Sequence, residues 1–205
     1  MSKHQITNSK FQTISNDLNT NSKTFGAWCL SLLVLVCFLV LGYWCLINNF
    51  MKHKLYLIII PLITIAVSVL GSAITSGGMV WYKTLNLPSI APPGGVIGAV
   101  WTAIFFLATI SAILFWSQKN KDNNRNLIIA LFLINAFLNV LWSMVFFGLS
   151  LIGWAIIEMI LLNASTIALV ILMWRKFLVS AVLLLPYVFW VSFATYLTIS
   201  IWQLN

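Results

Sequence analysis

A bilayer core about 30 Å thick is crossed by a helix of about 20 largely apolar residues. This sequence supplies six stretches of that kind, at 27–47, 55–73, 95–116, 127–147, 149–174 and 177–204. Glu158 is the only charged side chain inside any of them. Charged residues make up 7% of the 205-residue chain, against roughly 25% in a soluble domain. The pattern predicts an all-α integral membrane protein. A transmembrane barrel is excluded, because its strands would alternate polar and apolar residues over ~10-residue segments.

The formal net charge of +8 does not point to nucleic acid. The cations gather in the turns between spans, where they act as orientation signals. Turns 48–54, 118–126 and 175–176 hold Lys52, Lys54, Lys119, Lys121, Arg125, Arg175 and Lys176, while the opposite side of the last five spans holds only Lys83. That asymmetry predicts the three basic turns in the cytoplasm, with the 76–94 loop and the C-terminus on the extracytoplasmic side. Residues 1–24 are polar and aperiodic, the composition of a disordered tail. Residues 25–50 form either an extra N-terminal transmembrane helix or an upstream segment preceding a natural start at Met51. Cys29, Cys37 and Cys45 recur every eight residues in that segment, about 12 Å apart along a helix and too far for an intrachain disulfide. The remainder, 51–205, reads as one five-helix domain with a lid loop at 76–94. Short turns predict that its consecutive helices are antiparallel neighbours.

The inventory of reactive groups is small. The acidic residues are Asp17, Asp122 and Glu158, and the histidines are His4 and His53. Neither a metal cluster nor a Ser–His–Asp triad nor a carboxylate pair can be assembled from them, so no catalytic residue and no metal site of those kinds is expected. Tryptophan is abundant, with ten residues. Seven fall near span ends, where an interfacial belt explains them. Trp101, Trp142 and Trp190 lie inside three different spans.

Helical spacing puts Trp101, Phe105, Ala108 and Ala112 on one face, Asn135, Asn139, Trp142 and Phe146 on a second, and Pro186, Trp190, Ala194 and Leu197 on a third. Counted from the 76–94 side, Trp142 and Trp101 lie about 8–9 Å deep, Asn139 and Glu158 about 12–13 Å, and Trp190 about 20 Å. These positions predict an aromatic-walled cavity open toward 81–95. Pro88, Pro92 and Pro93 would stiffen that segment into a lid holding Trp81 and Tyr82 over it. Glu158 is expected to bond an asparagine of a neighbouring helix, since an unpaired carboxylate at that depth costs roughly 2.5–3.5 kcal/mol.

The stretches WYKTLNLPSIAPPGGVIGAVWT, LNVLWSMVFFG and LLLPYVFWVSFATYLTISIWQLN resemble the TspO/MBR family, the tryptophan-rich sensory proteins related to the mitochondrial translocator protein. The resemblance runs from about Lys54 to Asn205. It implies a five-helix bundle, usually a homodimer, that binds porphyrins, haem and sterol-like or benzodiazepine-type ligands and requires no cofactor. By motif, the implied ligand-lining residues are Tyr82, Trp101, Phe105, Asn139, Trp142, Trp190 and Ala194. The chain departs from the family pattern at Ile90, where PSWxPP has tryptophan, at Asn135, where glutamine is common, at Asn163, where tryptophan is common, and at Leu197-Thr198. No basic residue follows Tyr196 to complete a cholesterol pattern of the type L/V-x-Y-x-K/R.

The leading expectation is a membrane receptor or sensor for protoporphyrin IX, haem or a similar flat ligand, surrounded by membrane lipid. With no histidine inside the spans, metal-free porphyrin should bind at least as well as haem. The alternatives are a light- and oxygen-dependent porphyrin-degrading enzyme working through Trp101 and Trp190, and a transporter of tetrapyrroles or sterols. The single intramembrane carboxylate and the lack of internal repeats disfavour coupled transport.

Overall fold

The computed structural model describes residues 55–118 and 123–205. The expected tail at 1–24, the extra helix at 25–50 with its cysteines, and the basic turn 48–54 up to Lys54 lie outside the described residues. Helices α1 (Tyr56–Tyr82), α2 (Gly94–Ser117), α3 (Arg125–Ser143), α4 (Ile152–Met173) and α5 (Leu178–Leu204) make up the bundle. Each is long and apolar enough to cross a membrane, α3 together with the turn that follows it. No strand occurs among the described residues.

Three features depart from the sequence reading. First, α1 continues past 73 to Tyr82, so the connecting segment is 83–93 and Trp81 and Tyr82 are helical. Ser76 stays within the helix by donating to the Ser72 carbonyl at 2.8 Å. Second, α3 ends in a π-helical turn, Met144–Gly148, closed by Leu149 N–H donating to Met144 O at 2.8 Å. Third, consecutive helices are not all neighbours. Around the bundle α1 packs on α2, α2 on α5, α5 on α4, α4 on α3, and α3 back on α1. α2 and α3 do not lie side by side, although a short turn joins them. Their side chains meet only across the interior, as where Phe115 and Phe132 approach to 6.2 Å.

The turn after the π-helix places Ser150 at φ 57°, a left-handed conformation in which a Cβ costs roughly 1–2 kcal/mol. Ser150→Gly is therefore expected to stabilise the protein by about 1 kcal/mol, after glycine's greater backbone entropy in the unfolded chain is subtracted. A higher melting temperature in detergent would register the gain.

The 83–93 segment is tied at both ends. Thr84 Oγ1 donates to Trp81 O at 2.7 Å, and Ala91 N–H donates to Pro88 O at 2.9 Å. Its middle is clasped to the last residue of the chain. Asn86 N–H donates to Asn205 Oδ1 at 2.9 Å, and Asn205 Nδ2 returns a bond to Asn86 O at 3.1 Å. Proline at 93, with φ −56° and ψ 144°, then starts α2, where its missing N–H leaves no helical bond unmade.

Candidate ligand-binding site

Beneath the 83–93 segment the bundle is lined by rings. Tyr82 lies 6.2 Å from Phe146 and 5.6 Å from Phe147, and Trp81 meets Phe146 edge-on at 5.5 Å. The π-turn presents both phenylalanines inward, with their rings 4.8 Å apart. Trp142, one turn deeper on α3, stacks on Phe146 at 5.6 Å and meets Phe147 perpendicularly at 5.7 Å. From α2, Trp101 stacks on Trp142 at 6.2 Å with 29° between planes and touches Phe105 at 5.5 Å. Tilted and stacked rings at these separations add about 0.5–1.5 kcal/mol per pair beyond burial.

The polar layer lies just below. Asn139 is 7% exposed. Its Nδ2 donates to Asn135 O at 2.9 Å and to the Tyr187 hydroxyl. Tyr187 OH donates to Asn135 Oδ1 at 2.9 Å, and Asn135 Nδ2 donates to Ser165 and Thr166 of α4, both at 2.9 Å. Tyr187 in turn meets the edge of Trp101 at 6.2 Å, so the network and the aromatic group form one unit.

The structure therefore joins Tyr82, Trp101, Phe105, Asn139 and Trp142 through an unbroken chain of side-chain contacts. Trp190 and Ala194 pack against the same core, but the Trp190 ring meets Phe193 at 5.5 Å and a tilt of 41° rather than meeting the other candidate rings. Together with Pro92 and Pro186 it borders a groove between α2 and α5. The buried residues of α5 include Ala181, Leu184, Tyr187, Val191 and Leu197; of the expected stripe Leu197 lies among them, while Pro186 and Trp190 fall one residue before Tyr187 and Val191. Tyr187, missed by sequence reading, is the hub. Its three- and four-residue spacing from Leu184 and Val191 was the available signal.

Two further expectations need correction. The rings under 83–93 pack on one another rather than walling an open cavity. A cavity of about 100 Å³ lies in the other half of the bundle, toward the α2–α3 turn. Glu158, 5% exposed, bonds no asparagine, because both candidate amides are engaged by Ser165, Thr166 and Tyr187. Its two carboxylate oxygens and the indole N–H groups of Trp142 and Trp190 are buried without a hydrogen-bond partner. The register between α3 and α4 places Glu158 level with Trp142. Ala155 packs in one cluster with Phe146, and Ser165 meets Asn135 about three turns further on.

Residues 57–203 match the model of the TspO/MBR family. The chain is 34% identical over 142 residues to the tryptophan-rich protein TspO of Chlorobaculum tepidum, covering 69% of this chain and 90% of that protein. It is 31% identical over 125 residues to protein CrtK of Rhodobacter capsulatus, covering 61% and 78%. With the translocator protein of Homo sapiens it shares 29% identity over 137 residues, 66% and 81% of the two chains. Five apolar helices, the matched span and these relatives together make the chain an integral, multi-pass membrane protein belonging to the TspO/MBR family.

Proposed function

We propose that the protein is a membrane receptor or sensor that binds porphyrins, such as protoporphyrin IX or haem, or similar flat hydrophobic ligands, among the rings beneath 83–93. The observation carrying this reading is the set of unpaired buried polar atoms at Trp142, Glu158 and Trp190. Buried polar groups are satisfied in the great majority of cases, and an unpaired one costs about 1–3 kcal/mol. A guest with peripheral acceptors and central N–H donors would satisfy both kinds, while its flat face stacks on indole. Because the rings touch one another, binding parts them, and the Asn86–Asn205 clasp is the contact that such parting would strain. In this reading the end of the bundle bearing Arg125, Arg175 and Lys176 faces the cytoplasm.

Titrating protoporphyrin IX into the detergent-solubilised protein is expected to quench tryptophan fluorescence saturably. Trp142→Phe keeps a ring but loses the donor, and should weaken binding about fivefold, the worth of one net hydrogen bond. Linear, unsaturable quenching, or equal affinity in Trp142→Phe and in the double variant with Trp190→Phe, would overturn the reading. The parallel Trp101–Trp142 stack supports a second reading, light-driven porphyrin breakdown by electron exchange with indole. Under illumination and oxygen it predicts loss of the Soret band in the wild type and slower loss in Trp101→Phe.

A further inference from the structure

The cavity near the α2–α3 turn adjoins the ring cluster at Phe105 and Asn139 and extends away from it, and its volume, about 100 Å³, is too small for a tetrapyrrole. It is of the order of the engineered ~150 Å³ cavity that admits benzene. It opens where α2 and α3 diverge, and α1 closes it with Thr64 and Val67. Ala108, Ala112 and Ala136 leave the space, and Phe105, Phe115 and Phe132 supply ring walls.

Its polar edge is one-sided. Thr64 Oγ1 donates to Ile60 O at 3.1 Å. The Asn135 amide and the Tyr187 hydroxyl are engaged as described above, as is Asn139 Nδ2. Asn139 Oδ1 takes no part in the bonds that Asn139 Nδ2 makes to Asn135 and Tyr187, and Asn139 is buried and lines the cavity. Those four side chains thus offer acceptors and no free donor. Ordered water requires two to four polar partners, and a largely apolar cavity without them stays dry.

We infer that this cavity is a second binding site, for a small neutral aromatic molecule carrying one hydrogen-bond donor, of phenol or indole size. The ring packs among Phe105, Phe115 and Phe132, and the O–H or N–H donates to Asn139 Oδ1. The site shares Phe105 and Asn139 with the tetrapyrrole reading but is not lined by Tyr82, Trp101, Trp142 or Trp190, so failure of porphyrin binding at the rings and failure of the small guest here are read separately.

The test uses the full chain in deuterated detergent, with 4-fluorophenol as probe and fluorine NMR as readout. Saturable binding is expected, about fivefold tighter than for fluorobenzene, which lacks the donor. In wild-type protein labelled at alanine methyls, the probe's ring protons should show Overhauser contacts to Ala108, Ala112 and Ala136. Ala112→Leu and Ala136→Leu, on different helices, each fill the space and should weaken binding roughly tenfold or more, since a close-packed interior leaves no room for the guest. Partition without saturation, no contact to those three methyls, or equal affinity for fluorobenzene would each overturn the assignment. The methyl contacts are read in the unaltered protein, so a variant that fails to fold does not remove the test.

Discussion

Gly78→Ala is expected to destabilise the protein by about 3 kcal/mol, the upper end of the usual cost of overpacking. Gly78 is buried on α1, and its backbone lies directly against the π-turn of α3. A Cβ there would stand 2.7 Å from the Phe147 Cβ and 2.8 Å from the Phe147 carbonyl carbon. The obstruction is backbone and cannot rotate away, so either α1 backs off from α3 or Phe147 leaves its contacts with Tyr82 and Trp142. Alanine's better helix propensity returns only about 1 kcal/mol. Gly71, two turns earlier, is the control. Its added Cβ would meet only the Ser143 hydroxyl at 3.3 Å, so Gly71→Ala should cost less than about 1 kcal/mol. Reversible unfolding in mixed micelles measures both. Equal stabilities for the two variants would mean that α1 does not approach the π-turn this closely.

Asn135→Leu should cost about 1–3 kcal/mol, because it leaves the buried Tyr187 hydroxyl without an acceptor. The effect is uneven among the partners. Ser165 and Thr166 already donate to the Leu162 carbonyl at 2.7 and 2.9 Å and would remain satisfied. Tyr187 would not, since Asn135 Oδ1 accepts from its hydroxyl, whereas Asn139 keeps the backbone carbonyl of residue 135. Tyr187→Phe removes one member of the same set, and its cost should be about 1 kcal/mol, in line with interhelical bonds measured in membranes. The double variant should be less destabilised than the sum, because the second change removes a group the first had already orphaned. Strict additivity in the cycle would show that the three side chains do not act as one network.

The spans were legible because bilayer crossing imposes a length and a composition that few other segments meet. The predicted 95–116 and 127–147 agree closely with α2 and with α3 plus its turn. The end of α1 was not legible. Thr75, Ser76, Gly77 and Gly78 lower local hydropathy as a loop would, yet these small residues serve close helix approach, and a one-dimensional reading cannot tell the two uses apart. On α3, the spacing of Asn135, Asn139 and Trp142 identified the face turned into the bundle, because polar residues within a span must face protein. On α5 no polar stripe accompanied Trp190, and of the expected stripe only Leu197 is buried. The order of helices around the bundle could not be read from turn lengths, since a short turn limits distance between helix ends and not which flanks touch. For the same reason the cavity was expected at the wrong end. It arises where α2 and α3 part, a separation that sequence proximity argued against.

The ring order also bears on how the molecule is made. During synthesis α2 and α3 emerge in succession, yet neither can dock on the other. α3 finds a flank on α1, and α2 keeps one flank open until α5 arrives to fill the gap between α2 and α4. α5 is thus the keystone of the arch, and the Asn86–Asn205 clasp forms only once α5 has seated. A nascent chain stalled before α5 would hold α2 and α4 with lipid between them, the form in which quality-control proteases of the membrane should find it easiest to cut.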